Sequence, residues 1–166
     1  MFKKILVFRT DRIGDLIVNC PLIITIKKYF QNSEVTLVAS DRNIEYAKNL
    51  KIFKNIYSFP KKNLIKKIML INKLNKEKYD FIFIFDGKER SIISSFFLTS
   101  KIKVGLTQSI KPYYQLFNIK LFEDHEKTNL ENIFKDILEY CGINTEINNY
   151  NFLKQKKDNN FSNNIS

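Results

Sequence analysis

Short, unbroken runs of apolar residues constrain the fold of this sequence more than any other feature. Residues 81–85 read Phe-Ile-Phe-Ile-Phe, and residues 5–8 read Ile-Leu-Val-Phe. Runs that are apolar at every position are typical of strands buried on both faces, as in a parallel sheet covered by helices. Further segments at 35–39, 55–59 and 103–106, less uniformly apolar, are also predicted as strands and alternate with segments of helical period. The alternation predicts an α/β fold, a Rossmann-like parallel sheet flanked by helices.

The helical segments are expected at about residues 15–30, 41–50, 63–76, 89–99 and 126–140. Pro21 is expected either to kink the first helix or to stand in its first turn. Ser40 or Asp41 is expected to cap the second helix. Gly142 is expected to end the last helix, and residues 107–124 are expected to be irregular.

The third helix combines two patterns. Its apolar residues recur on one face, at Leu64, Ile68, Ile71 and Leu74. Lysines 61, 62, 66 and 67 lie at its start. The simpler interpretation of this cluster is a solvated helix face, and a phosphate-binding role is the other.

The domain prediction follows from where apolar residues stop. Residues 1–150 are expected to form one Rossmann-like domain. Residues 151–166 are mostly Lys, Asp, Asn and Ser, and are expected to be a disordered tail or a truncated interdomain linker. Cys20 and Cys141 are far apart in sequence, which favours free thiols in a reducing cytoplasm. No apolar run is long enough to span a bilayer, and binding to a membrane surface stays open.

The formal charge of +11 has two competing explanations. A basic excess of this size points to an anionic partner. However, nearly all of the charge is lysine, and Lys, Asn and Ile are abundant together, as drift towards A/T-rich codons would produce. The arginines are Arg9, Arg12, Arg42 and Arg90. Composition alone leaves both explanations open.

Two polar turns follow predicted strands, at the edge where open parallel sheets bind ligands. The first turn, residues 9–15, contains Gly14, which is expected to permit a tight turn, and Asp15, at the start of the first helix. A carboxylate there either caps the helix or takes part in chemistry. The sequence has no GxGxxG and no GxxxxGK[ST], so neither a dinucleotide site nor a P-loop is indicated.

The second turn, residues 86–91, contains Asp86, Gly87 and Arg90. It is either a plain helix start or an anion-binding loop, because a guanidinium group binds phosphate or carboxylate in a bidentate manner. His125, beside Glu126, is interpreted as a polar residue at a helix start, and no set of metal ligands is predicted.

Aromatic residues cluster near Lys111, at Tyr113, Tyr114 and Phe117. Their rings are suited to stacking on sugars or bases, but core or surface packing is the favoured interpretation.

Several ordered motifs resemble glycosyltransferase family 9, the ADP-heptose:lipopolysaccharide heptosyltransferases. Residues 4–16, Lys-Ile-Leu-Val-Phe-Arg-Thr-Asp-Arg-Ile-Gly-Asp-Leu, followed by Pro21-Leu22, are similar to the N-terminal signature of that family. Residues 34–38, 79–91, 103–106 and 125–143 resemble later segments of the same half, in the same order. The resemblance is colinear over about residues 1–150.

This resemblance implies a GT-B architecture, in which an N-terminal domain holds the acceptor and a second domain holds the nucleotide sugar. It implies inverting sugar transfer to a lipopolysaccharide or related glycan without metal or cofactor, from a donor like ADP-heptose. Asp15 corresponds to the catalytic base. The residues implied in acceptor binding are Arg12, Gly14, Lys61, Lys62, Asp86, Gly87 and Arg90. A cytoplasmic protein is implied, with the inner face of the cytoplasmic membrane as a further location.

The donor domain of the family has no counterpart in these 166 residues, so a fragment or a subunit completed by another chain is expected. The alternative is a non-catalytic module that binds an anionic glycolipid or glycan and has no affinity for nucleotide sugars. Nucleic-acid binding ranks last, because the positive charge is diffuse lysine without interleaved arginines and aromatics.

Overall fold

A computed structural model describes residues 3–31, 33–123 and 130–143 of the chain. Its strands are β1 (Lys4–Arg9), β2 (Glu34–Ala39), β3 (Asn55–Ser58), β4 (Tyr79–Ile84), β5 (Ser100–Thr107) and β6 (Lys120–Glu123). They form one sheet in the order β3-β2-β1-β4-β5-β6, and every neighbouring pair is parallel. The predicted Rossmann-like parallel sheet is confirmed. The sheet order changes direction between β1 and β4, where a cleft is expected at the carboxyl ends of the strands.

The helices are α1 (Ile13–Tyr29), α2 (Ile44–Asn49), α3 (Leu64–Asn75), α4 (Glu89–Phe96) and α5 (Leu130–Tyr140), with a 3-10 helix at Pro112–Phe117. Alternate residues of β1 and β4 enter two separate cores. Val7 and Phe83 pack in the core that contains α1 and α5. Phe8 and Ile82 pack on the other face, with residues of α3 and α4. This burial on both faces explains the continuous apolar runs.

Several local predictions are wrong. Residues 107–124 are not all irregular, because β6 forms within them as a short edge strand. Gly14 makes no tight turn: it lies inside the first turn of α1, and the described glycines with positive φ are Gly87 and Gly142. Pro21 lies in the interior of α1, which rules out the first-turn alternative and leaves the kink as a prediction. The N-cap of α2 is Asn43 rather than Ser40 or Asp41.

The end of α5 follows the prediction. Gly142 has a φ of 73°, and the Ile143 N–H donates to the Leu138 carbonyl at 2.9 Å, as in a glycine-terminated helix. The predicted start of that helix, His125 and the tail at 151–166 lie outside the described residues. No helix in the described ranges has the length and apolar character needed to cross a membrane.

Helix α3 packs differently from its sequence pattern. Of the apolar face predicted from the period, only Leu74 is buried, whereas Leu64 is 69% exposed and Ile68 is 50% exposed. Only the C-terminal part of α3 therefore contributes a fully buried side chain to the core.

Candidate functional site

A cleft of about 690 Å³ lies at the carboxyl edge of the sheet. It is lined by the loops that follow β1, β2, β4 and β5, together with Lys61 beyond β3. The charged side chains that line it are Arg9, Asp11, Arg12, Asp15, Arg42, Lys61, Asp86, Lys88 and Arg90. Six of these are cationic and three are anionic. The cleft therefore suits an anionic ligand.

Asp86 joins the two central loops of the cleft. Its carboxylate accepts hydrogen bonds from the hydroxyl and the backbone N–H of Thr10, from Ser91 Oγ at 2.6 Å and from the Lys88 N–H at 3.2 Å. Thr10 follows β1, and the other donors belong to the loop after β4 and the start of α4. Because these donors surround a buried carboxylate, Asp86 holds the two loops together.

Arg90 extends from the first turn of α4 towards the loop after β1. Its Nη2 donates to Thr10 Oγ1 at 3.0 Å and to the Thr10 carbonyl at 3.3 Å. Its guanidinium carbon also lies 5.8 Å from the centre of the Phe59 ring. These contacts fix the group in the cleft wall. Arg90 Nε is buried and has no hydrogen-bond partner in the described part of the chain.

Asp15 is the third residue of α1. Its Oδ2 accepts the Arg12 N–H at 3.2 Å, and its Oδ1 lies 3.8 Å from Arg9 Nη2. Its backbone carbonyl accepts from Asn19 Nδ2 at 2.9 Å. The carboxylate both caps the helix and lines the cleft, so the two interpretations of this residue are compatible. With 44% of its side chain exposed, it is accessible from solvent.

Asp11 is a partly buried partner of Arg9. Arg9 Nε lies 3.2 Å from Asp11 Oδ1, close enough for an ion pair but out of hydrogen-bond alignment. Burial raises the pKa of the Asp11 carboxyl above its ordinary value; Arg9 opposes this, and the negative charges of Asp15 and Asp86 add to it. Asp11 and Asp15 both lie near the guanidinium group of Arg9, but 15% of the Asp11 side chain is exposed and 44% of that of Asp15.

The loop after β2 closes one side of the cleft. Asn43 Nδ2 donates to the Arg9 carbonyl at 2.8 Å, and Ser40 Oγ donates to the Asp11 carbonyl at 2.8 Å. Lys61 Nζ lies 3.3 Å from Asp41 Oδ2. These bonds hold the ends of β1 and β2 together and place Lys61 at the rim.

The arrangement of the arginines bears on the two explanations of the charge. All four arginines of the chain line this one cleft. Codon drift accounts for abundant lysine, but it gives no reason for every arginine to lie at the same site. The position of the arginines therefore favours a functional explanation of the positive charge. For the lysines outside the cleft, an anionic partner and codon drift both stay open as explanations.

The predicted site residues are mostly brought together. Asp15, Arg12, Lys61, Asp86, Gly87 and Arg90 all line the cleft, whereas Gly14 and Lys62 do not. The residues not singled out from sequence that also line it include Arg9, Thr10, Asp11, Ser40 and Arg42. The scarcity of arginine was a signal that could have identified Arg9 and Arg42. The described residues contain no group of three His, Cys, Asp or Glu side chains that could hold a metal ion.

Comparison with known proteins identifies the fold. No family model matches the sequence, and no curated protein matches it. Among solved structures, a family 9 glycosyltransferase from Veillonella parvula superposes with a TM-score of 0.67 at 19% identity, over 86% of this chain and 42% of that one. Escherichia coli heptosyltransferase WaaC, with ADP-2-deoxy-2-fluoro heptose, gives 0.67 at 12% identity, over 85% of this chain and 49% of that one.

A third structure, E. coli ADP-heptose lipopolysaccharide heptosyltransferase II, gives a TM-score of 0.55 at 16% identity, over 62% of this chain and 30% of that one. The chain thus spans less than half the length of the solved structures it matches. The resemblance to family 9 is confirmed as a likeness of fold: the chain has a Rossmann-like fold similar to part of these glycosyltransferase structures.

Proposed function

We propose that this chain is the acceptor-binding half of an inverting glycosyltransferase that takes its sugar from a nucleotide sugar. One observation carries the proposal: a cleft that contains every arginine of the chain also contains an accessible carboxylate, Asp15. The arginines match an anionic acceptor, and the carboxylate matches a base. The Arg-Ile-Gly-Asp motif at residues 12–15 and the likeness of fold to family 9 structures support the same function.

Asp15 is the best placed of the three cleft carboxylates to act as the base. Asp86 already accepts four hydrogen bonds, and Asp11 is paired with Arg9, with only 15% of its side chain exposed. The Asp15 side chain is 44% exposed, and its carboxylate accepts a hydrogen bond from the Arg12 N–H of its own turn. A free oxygen lone pair in contact with solvent is what removal of a proton requires.

In the proposed step, an Asp15 oxygen takes the proton of the acceptor hydroxyl as that oxygen forms a bond to the anomeric carbon of the donor. The bond between the anomeric carbon and the nucleotide's terminal phosphate oxygen breaks, and its electron pair leaves with the nucleoside diphosphate. Attack from the face opposite the leaving group inverts the anomeric centre. Arg9 Nη2, 3.8 Å from Asp15 Oδ1, helps to hold the carboxylate in position at the cleft.

The remaining cations would hold the acceptor. Arg12 and Arg42 are exposed on loops after β1 and β2, and Lys61 and Lys88 lie on the loops after β3 and β4. Four cations from four loops surround an anionic group better than one loop could. We therefore propose a phosphorylated or carboxylated glycan acceptor, such as a lipopolysaccharide core, in a cytoplasmic protein.

The donor belongs to a second domain, contributed by a longer chain or by a partner. The WaaC structure was solved with a fluorinated ADP-heptose, so ADP-heptose is the first donor to test. The experiment uses a protein that carries both halves, or this chain complemented with a donor-binding half. It measures ADP release and glycan product in the presence of a deacylated lipopolysaccharide core.

Asp15→Asn should lower turnover by about 10² to 10⁴, the contribution of a general base, and leave acceptor binding intact. Asp136→Asn, an exposed aspartate on α5, is the matched control. Turnover of Asp15→Asn within threefold of the wild type removes Asp15 from this role. Lack of both acceptor binding and transfer by the wild type rejects the proposed function.

A non-catalytic module for anionic glycolipid or glycan is the second candidate, favoured by the excess of six cationic over three anionic side chains in the cleft. It predicts acceptor binding that weakens with salt, no transfer with any donor half, and no effect of Asp15→Asn beyond binding. Calorimetry of the acceptor at two ionic strengths, run beside the transfer assay, separates the two functions.

A further inference from the structure

Helix α3 presents large apolar side chains to solvent. Leu64, Ile65, Ile68 and Met69 are exposed by 69%, 71%, 50% and 64% of their surface. They are spaced i, i+1, i+4 and i+5, so they form one continuous stripe on the helix. Single exposed apolar residues are common, but a contiguous stripe of four on one helix marks an interaction surface.

The stripe continues onto α4. A groove of about 600 Å³ separates the two helices and is lined by apolar residues of both, including Ile71 on α3 and Ile93 and Phe97 on α4. Phe97, at the end of α4, is 57% exposed, and its neighbour Phe96 is 47% exposed. We use the name α3–α4 surface for the α3 stripe, the groove, and the side chains of Phe96 and Phe97 together. It lies on the sheet face opposite to α1 and α5.

The charged residues of α3 and of the segment that leads into it are all lysines. From residue 61 to residue 76 the chain carries no acidic residue and has lysines at 61, 62, 66, 67, 73 and 76. Lys73 Nζ lies 4.6 Å from the centre of the Tyr57 ring, and Lys67 Nζ lies 5.7 Å from that of Phe59. An apolar stripe bordered by lysines is the arrangement of helices that lie in the interface of anionic membranes.

The groove and the cleft meet at Arg90. This residue lines both cavities, and its guanidinium group is bound to Thr10 on the cleft side. The α3–α4 surface and the cleft are therefore adjacent in the fold, with Arg90 in the wall of both.

We propose that the α3–α4 surface docks on an anionic lipid bilayer, with the apolar stripe inserted among the headgroups and the lysines paired with lipid phosphates. A second copy of the chain fits this surface less well, because a symmetric contact would bring like-charged lysines together. Docking does not require the transferase reaction, so its test contains neither nucleotide sugar nor glycan acceptor.

The test is sedimentation of the 166-residue chain with vesicles of equimolar phosphatidylglycerol and phosphatidylethanolamine, and with vesicles of phosphatidylcholine alone. The wild type should bind the anionic vesicles, bind phosphatidylcholine about tenfold or more weakly, and lose affinity as salt rises from about 0.1 M to 1 M. Each lysine at such a surface contributes about fivefold in affinity, so Lys66→Gln with Lys73→Gln should reduce binding by about 25-fold.

The apolar component is tested by Ile65→Gln with Met69→Gln, which should reduce binding by about tenfold or more. Both side chains are exposed and glutamine favours helix, so the variant should fold, as checked by circular dichroism. The controls are Val18→Gln on α1 and Lys135→Gln on α5, which are exposed on the opposite sheet face. Both should bind as the wild type does.

Equal binding of wild type and α3 variants, or equal losses in the controls, would overturn the proposal. So would dimerisation of the chain in sedimentation velocity that the α3 variants abolish, because a second copy would then be the occupant. Vesicle binding with no transferase activity would leave the docking surface in place and count against the catalytic function alone.

Discussion

Replacing Thr10 with valine tests whether Asp86 joins the two loops of the cleft. Thr10 is buried, and its hydroxyl donates to Asp86 Oδ2 while it accepts from Arg90 Nη2 at 3.0 Å. Valine keeps the shape of the side chain and removes both bonds. The backbone N–H of Thr10 still donates to Asp86, so the carboxylate keeps three of its four hydrogen bonds.

The expected magnitude follows from those remaining bonds. A hydrogen bond to a charged group contributes about 1.5–3 kcal/mol to the free energy of unfolding. Because three donors to Asp86 remain, we expect Thr10→Val to lower this free energy by about 2 kcal/mol, near the lower end of that range. At about 2–4 °C per kcal/mol for a chain of this size, the midpoint of thermal unfolding should fall by about 4–8 °C. Thr107→Val is the matched control, because its buried hydroxyl donates to a neutral carbonyl, that of Ser109, at 3.0 Å and should contribute about 1 kcal/mol.

The assay is urea unfolding followed by circular dichroism, for Thr10→Val, Ser91→Ala and the double variant. Both hydroxyls donate to the same Asp86 oxygen, so the double variant should lose about 0.5–1 kcal/mol more than the sum of the single losses. A loss below about 0.5 kcal/mol for Thr10→Val, or strict additivity, would show that Asp86 does not connect the loops as described.

Two further predictions concern stability. Burial disfavours the charge of Asp80, but the Lys4 N–H and the ammonium groups of Lys101 and Lys3 outweigh it and lower the pKa of this carboxyl. The ionised Asp80 carboxylate should therefore add to the free energy of unfolding at pH values above its ordinary pKa of about 3.9. This contribution should disappear as the pH falls through the lower pKa that Asp80 has in the folded chain. The difference in unfolding free energy between wild type and Asp80→Asn, measured from pH 2 to 7, should shrink below about pH 4; a constant difference would contradict the lowered pKa. Gly14→Ala should stabilise the chain by about 0.5–1 kcal/mol, because a Cβ there meets nothing within 4 Å, whereas Gly105→Ala should destabilise it by about 1–3 kcal/mol, because a Cβ would lie 2.9 Å from Leu121 Cδ2. Equal melting temperatures of the two glycine variants would refute this.

The sheet was predictable because its central strands are apolar at every position. A strand buried on both faces leaves that pattern regardless of what packs on it, as residues 81–85 show. β6 was not predictable in the same way, since Lys120–Glu123 has polar residues at both ends and lies at the sheet edge. The exposure of the apolar face of α3 could not be predicted, because helical period reveals an apolar face without saying what covers it.

The candidate site was predictable in its two central loops and not in their connection. Asp86 and Arg90 were marked by the turn after a predicted strand, but Thr10, which both side chains contact, lies 76 residues before Asp86. No local pattern reports such a pairing. The same holds for Asn43, whose amide reaches the Arg9 carbonyl from 34 residues away.

The sheet order also sets the time at which the cleft can form. β4 leaves the ribosome after β2 and β3, yet it inserts beside β1, and only then can Thr10 meet Asp86. Closing a loop of that length costs about 4 kcal/mol in chain entropy, which pairing of β1 with β4 must offset. A nascent chain that stops before residue 91 can pair β1, β2 and β3 but lacks a complete Asp86 cluster. Ligand binding would therefore report completion of the central sheet, and a cleft ligand present during synthesis would stabilise the chain only from that point onward.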